Sequence, residues 1–204
     1  MNTEQLQELV LQSLEHELGG VKIYEQALEC ASNPDLREEW AEYLEQTKTH
    51  VSALEGVCRA LGVDAARETP GRAIVRSVGA ALVEAMAMAL RAGDATNAEI
   101  VACECVVLAE TKDHSNWHLL GGVARKLQSE GAAAAEALLQ AYSQIEDQED
   151  EHLYHTKGWC RELWVSSLGL PAVLPPPEER QDVKTAIGAA RAEQLAERTR
   201  VAGG

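Results

Sequence analysis

The chain has 204 residues, with 18 Lys and Arg against 33 Asp and Glu and a formal net charge of −15. That length suits one domain with a good core, and that charge argues against a nucleic-acid backbone or an anionic membrane as partner while drawing cations towards any acidic cleft. Phe is absent and Ala, Leu, Glu and Gln are abundant, which sets an all-α expectation.

The first predicted helix runs from about Thr3 to Ala31. Leu6, Val10, Leu14, Leu18, Val21, Tyr24 and Leu28 form its apolar side, with Glu17 beside that stripe and Glu25 further along. Gly19-Gly20 marks a kink or a close helix approach. Ser32-Asn33-Pro34-Asp35 is a turn that caps a second helix, about Pro34 to Leu61. Trp40, Tyr43, Thr47, His50, Leu54 and Val57 make its inner stripe, so His50 points inward. Gly62 ends the helix, and residues 62–72 read as a loop.

An apolar, Ala- and Met-rich helix follows, about Ala73 to Gly93, and serves as the crossover that carries the chain along the bundle. A further helix spans about Asn97 to Leu127. Ile100, Cys103, Val107, Glu110, His114, Trp117 and Gly121 repeat at alternating spacings of three and four, which places Glu110 and His114 inside. After a loop over Gln128–Ala132, the last long helix passes Trp164 and ends near Gly169. Ile145, Glu149, His152, Thr156, Trp159 and Leu163 share its inner face. The acidic run Glu146 to Glu151 is otherwise a solvated face. The domain thus covers residues 1–170. Residues 171–204 form a proline-rich linker and a peripheral helix over Asp182–Arg200, an exposed element that suits a homo-oligomer such as a dimer.

No stretch approaches the roughly 20 apolar residues of a membrane span. The N-terminus is acidic and amphipathic, unlike a signal peptide, and the expected compartment is the cytoplasm. The five cysteines are scattered and odd in number, and read as small apolar residues.

Glu149-x-x-His152 places a carboxylate and an imidazole on one inward face, where they need partners: each other, another helix or a metal. Depth along the hairpins pairs them with others. From the turn at Asn33, His50 lies level with His16 or Glu17; from the turn near Gly131, His152 lies level with Glu110, and Glu149 with His114. Both hairpins therefore set acid against imidazole at one depth.

The segments LEHELGGVKIYEQAL, EYLEQTKTHVSALE, ECVVLAETKDH and EDQEDEHLYH resemble the ferritin-like superfamily, within it the rubrerythrin-related group and small bacterial ferritin-like stress proteins. The resemblance covers about residues 3–168. It implies an antiparallel four-helix bundle with a di-iron or di-manganese centre, built from one Glu on each of two helices and Glu-x-x-His on each of the other two. Carried over, Glu17 (with Glu25 as rival), His50, Glu110, Glu149 and His152 are the implied ligands. His114 adds a candidate the family pattern lacks. One position departs: the second helix has Thr47 where a bridging Glu is expected.

Iron, or Mn or Zn, suits this mixed donor set. The family implies oxidase, peroxidase or storage roles. A metal-free ferritin-like scaffold, acting as a structural or stress-response protein, is the alternative. Tyr24, Tyr43 and Tyr142 are candidate electron relays as well as core residues. His118 and His155 are candidate outer partners of the ligands.

Overall fold

The first four helices begin where a side chain can accept their free amide hydrogens, and the last begins after Ala134 without a side-chain cap. In α1 (Thr3–Cys30) the cap is Asn2, whose side chain accepts from Gln5 N–H, rather than Thr3. Asn33 caps α2 (Pro34–Leu61), and Gly62 closes it in the left-handed conformation at φ +67°. Thr69 caps α3 (Pro70–Arg91), with Pro70 in the first turn. The expected 62–72 loop is therefore shorter. Thr-Pro is a helix start, because proline lacks only an N–H that the first turn leaves unpaired anyway. Asp94 caps α4 (Ala95–Ser129), and α5 is Ala135–Ser167. This computed structural model describes residues 1–171, all of them helix or connection with no strand. The expected linker and helix beyond residue 171 lie outside the described residues.

Helices α1, α2, α5 and α4 form a closed ring, each touching the next, and α3 lies on α1 and α4. Cross-helix bonds fix the directions. Glu99 near the start of α4 accepts from Ser32 and Asn33 at the end of α1, while Trp117 reaches back to Glu17. So α4 runs against α1. Gln46 meets His152 and Glu39 meets Trp159, so α5 runs against α2. The crossover α3 runs parallel to α1, with Arg72 on Glu15 at one end and Met86 by Cys30 at the other.

Two apolar layers fill the ring. One holds Leu14, Leu54, Trp117, Leu120 and Ile145; the other holds Tyr24, Trp40, Tyr43, Val106 and Trp159. Between them lies a buried polar belt of Glu17, Thr47, His50, Glu110, Asp113, Glu149, His152 and Thr156. The five cysteines are free, and burial pushes the Cys103 thiol well up, consistent with their expected role as small apolar residues.

Two elements differ from expectation. Helix α3 is long and apolar enough, by length and composition, to cross a membrane, against the expectation that no stretch would be. It buries Met86 and Arg72 but exposes Ile74, Val78 and Met88. In α1, Glu17 takes the inward place (0 % exposed) and Leu18 turns outward (38 %).

Candidate metal centre

Each of the four ring helices sends acidic or imidazole side chains into the belt. His50 Nδ1 on α2 lies 3.5 Å from Glu17 Oε1 on α1 and 3.1 Å from Glu149 Oε1 on α5. His152 Nδ1 on α5 lies 3.7 Å from Glu110 Oε2 on α4. Two trios result, Glu17–His50–Glu149 and Glu110–Glu149–His152, each with its ligand atoms within 4.8 Å of one another. Glu149 belongs to both, so the two trios form one centre with a shared carboxylate.

The donors around this centre leave it under-satisfied. The Trp117 indole donates to Glu17 Oε1 at 2.7 Å, and the Tyr24 hydroxyl donates to Glu110 Oε1 at 2.8 Å. Glu17 Oε2, Glu110 Oε2, both oxygens of Glu149 and His50 Nδ1 are buried with no hydrogen bond. Unpaired buried lone pairs cost about 1–3 kcal/mol each. A proton on His50 Nδ1 can serve Glu149 Oε1 at 3.1 Å, which leaves Glu17 Oε2, Glu110 Oε2 and Glu149 Oε2 as the carboxylate oxygens in want of positive charge.

The ionisation pattern agrees. Burial, followed by the charges of Glu17 and Glu110, pushes Glu149 up to about 8 despite its contact with His50. Burial alone would lower His50, but Glu17 and Glu149 outweigh it and raise the ring to about 11. At neutral pH a proton on His50 supplies part of the missing charge. Burial raises Asp113 well above the ordinary carboxylate range, with Glu17, Glu149 and Glu110 adding to it.

No family model, no curated protein and no solved structure matches the chain. What the centre can bind is therefore decided by its own donor set.

Five of the six expected ligands meet here: Glu17, His50, Glu110, Glu149 and His152. His114 does not. It is only part-buried, in neither trio, and pairs its Nε2 with Asp150 at 2.9 Å. Glu25, the rival of Glu17, is exposed, as is His118. His155 is buried but serves a separate group: its Nδ1 lies 2.9 Å from the Tyr43 hydroxyl, which donates to Glu39 Oε1. The Tyr43 ring packs 4.2 Å from the His152 ring.

The residue the sequence reading missed is Asp113. Both 103-107-110-114-117-121 and 103-106-110-113-117-120 alternate threes and fours, and they share Cys103, Glu110 and Trp117. Val106, Asp113 and Leu120 are buried where Val107 and His114 are only part-buried, while Leu120 and Gly121 are both buried.

Thr47 occupies the place of the absent carboxylate. Its hydroxyl turns back to donate to Tyr43 O at 2.8 Å, and its methyl would lie 3.2 Å from a Cβ placed on Gly20. Gly20 therefore marks a close approach of α1 to α2.

Proposed function

We propose that this chain is a ferritin-like metal protein whose centre holds two transition-metal ions, Fe or else Mn or Zn. On this reading the ring of four helices is the ferritin-like bundle and α3 its crossover. The observation behind the proposal is the pair of buried trios, Glu17–His50–Glu149 and Glu110–Glu149–His152, that share Glu149 and keep carboxylate oxygens without a hydrogen bond. Imidazole with carboxylate favours Fe, Mn or Zn over Ca and Mg, which prefer oxygen alone. The buried carboxylates Glu17, Glu110 and Glu149 would offset most of the charge of two divalent ions.

Glu17 and His50 would hold one ion, Glu110 and His152 the other, and Glu149 would span both. A bound iron or manganese pair supplies one-electron chemistry towards dioxygen or peroxide, in an oxidase, peroxidase or stress-protective role. The chain's own residues set the conditions for it. The apolar layers on either side keep bulk water out. Trp117 and Tyr24 hold one oxygen of Glu17 and of Glu110, leaving the other oxygen of each free to bind. The Tyr43 ring packs on the His152 ring, and its hydroxyl bonds Glu39 and His155, which holds that side of the centre in place.

A metal-free scaffold is the second reading, favoured by one observation: His50 Nδ1 lies 3.1 Å from Glu149 and 3.5 Å from Glu17, where a proton on it would satisfy part of the cluster. Metal analysis of protein purified without added metal separates the two. About two equivalents of Fe or Mn, lost in His50→Ala/His152→Ala, supports the metal protein. A metal-free product that takes up no Fe, Mn or Zn on titration supports the scaffold.

A further inference from the structure

The segments Gln46-Thr47-Lys48-Thr49-His50 and Gln148-Glu149-Asp150-Glu151-His152 share one pattern, a Gln four residues before a buried His. On a helix that spacing puts Gln and His one turn apart on one face. In the folded protein neither Gln serves its own helix's His. His50 Nε2 lies 2.8 Å from Gln148 Oε1, and His152 Nε2 lies 2.7 Å from Gln46 Oε1. The antiparallel run of α2 and α5 crosses the pairs.

We infer that Gln46 and Gln148 are positioning residues that fix each other helix's imidazole with its proton on Nε2, so that Nδ1 is the nitrogen offered to a metal. For Gln46 the direction of the amide is set independently. Its N–H₂ group donates to Glu42 Oε1 at 3.1 Å, which leaves its carbonyl oxygen for His152. A carbonyl oxygen only accepts, so the ring nitrogen facing it must carry the hydrogen. In the neutral ring the lone pair is then on Nδ1, facing Glu110 across 3.7 Å. Gln148 repeats the arrangement for His50, whose Nδ1 faces Glu17 and Glu149. A neutral amide orients the ring without transferring negative charge to it, unlike a carboxylate partner. The ligand role of Nδ1 rests on the proposed metal reading; the control of the proton position does not.

The crossing makes a specific expectation. Gln46 sits on the helix of His50 but governs the half-site of His152. In metal-free protein, at a pH where the His152 ring is neutral, ¹⁵N NMR is expected to show the proton on Nε2. Gln46→Met is expected to give a mixture of tautomers at His152 and to leave His50 unchanged. Titration with Co(II) alone supplies the second arm. Gln46→Met is expected to weaken binding about 10- to 100-fold in a His50→Ala background. In a His152→Ala background, whose half-site is already lost, it should have no effect. Gln148→Met should behave in the opposite sense, and Gln46→Glu, which keeps an acceptor oxygen, should recover binding. A wild-type His152 proton on Nδ1, or a Gln46→Met effect confined to the His50 half-site, overturns the inference. A wild type with the expected tautomer that takes up no Co(II) overturns the metal reading and the ligand role of Nδ1, but leaves the tautomer control standing.

Discussion

Glu149 is the residue on which function and stability pull apart. Its carboxyl, ordinarily near 4.5, is raised to about 8 in the folded chain by burial and by Glu17 and Glu110. A group whose folded value lies above its unfolded one favours folding most below the unfolded value. That contribution is lost as pH rises through the folded value. His50, raised to about 11 from an ordinary 6.5, acts in the same direction over a higher range. The metal-free protein should therefore lose melting temperature progressively from about pH 5 to 8 through Glu149, and onward to about 11 through His50. Metal-loaded protein should resist that loss, because the ions displace those protons. Thermal melts across pH, with and without Zn(II), check this. Glu149→Gln removes the shared acid, so at pH 9 the metal-free variant should be about 1–3 kcal/mol more stable than wild type. The same variant should fail to take up the second ion. A denaturant titration and a metal count read the two effects.

Helix packing rests on a few contacts that are hard to replace. Arg72 is almost wholly buried and bonds Glu15 through two nitrogens, while half-exposed Arg76 bonds the same carboxylate. Burial pushes Glu15 up, but the hydrogen bonds of Arg76 and Arg72 outweigh it and the carboxyl ends below its ordinary value. Glu15→Ala would strand the Arg72 charge and should cost about 3–5 kcal/mol in a urea titration. On α3, Met86→Ala should cost about 2–5 kcal/mol, whereas Val78→Ser, on the outer face, should stay within about 0.5 kcal/mol. At the α4–α5 seam a Cβ on Gly121 would run into the Tyr142 ring. Gly121→Ala should therefore destabilise by about 1–3 kcal/mol. The α4 stripe also shows the limit of sequence periodicity. Cys103, Glu110 and Trp117 belong to two alternating patterns, and only the neighbouring helices choose between Asp113 and His114.

Across the described residues, two apolar layers flank a belt of buried acids. Such a belt is unfavourable when empty of cations and favourable when filled. A metal bound only by the folded chain raises stability by about 2.7 kcal/mol at a hundredfold excess over its dissociation constant. Addition of Fe(II) or Zn(II) should raise the melting temperature in wild type and leave His50→Ala/His152→Ala unmoved. A melt that does not respond in wild type would remove the energetic case for a bound ion.

The sequence alone determined the all-helical class, the order and approximate bounds of the five helices, and a common depth for His50 with His16 or Glu17 and for His152 with Glu110. Those follow from local chemistry: caps, apolar period and the equal rise of two helices leaving one turn. Tertiary structure alone decided that Asp113 turns in and His114 out, that Glu149 joins both trios, and that each Gln serves the opposite helix's His. These depend on helix rotation, which is set by what packs against each face and is degenerate wherever two stripes are equally apolar.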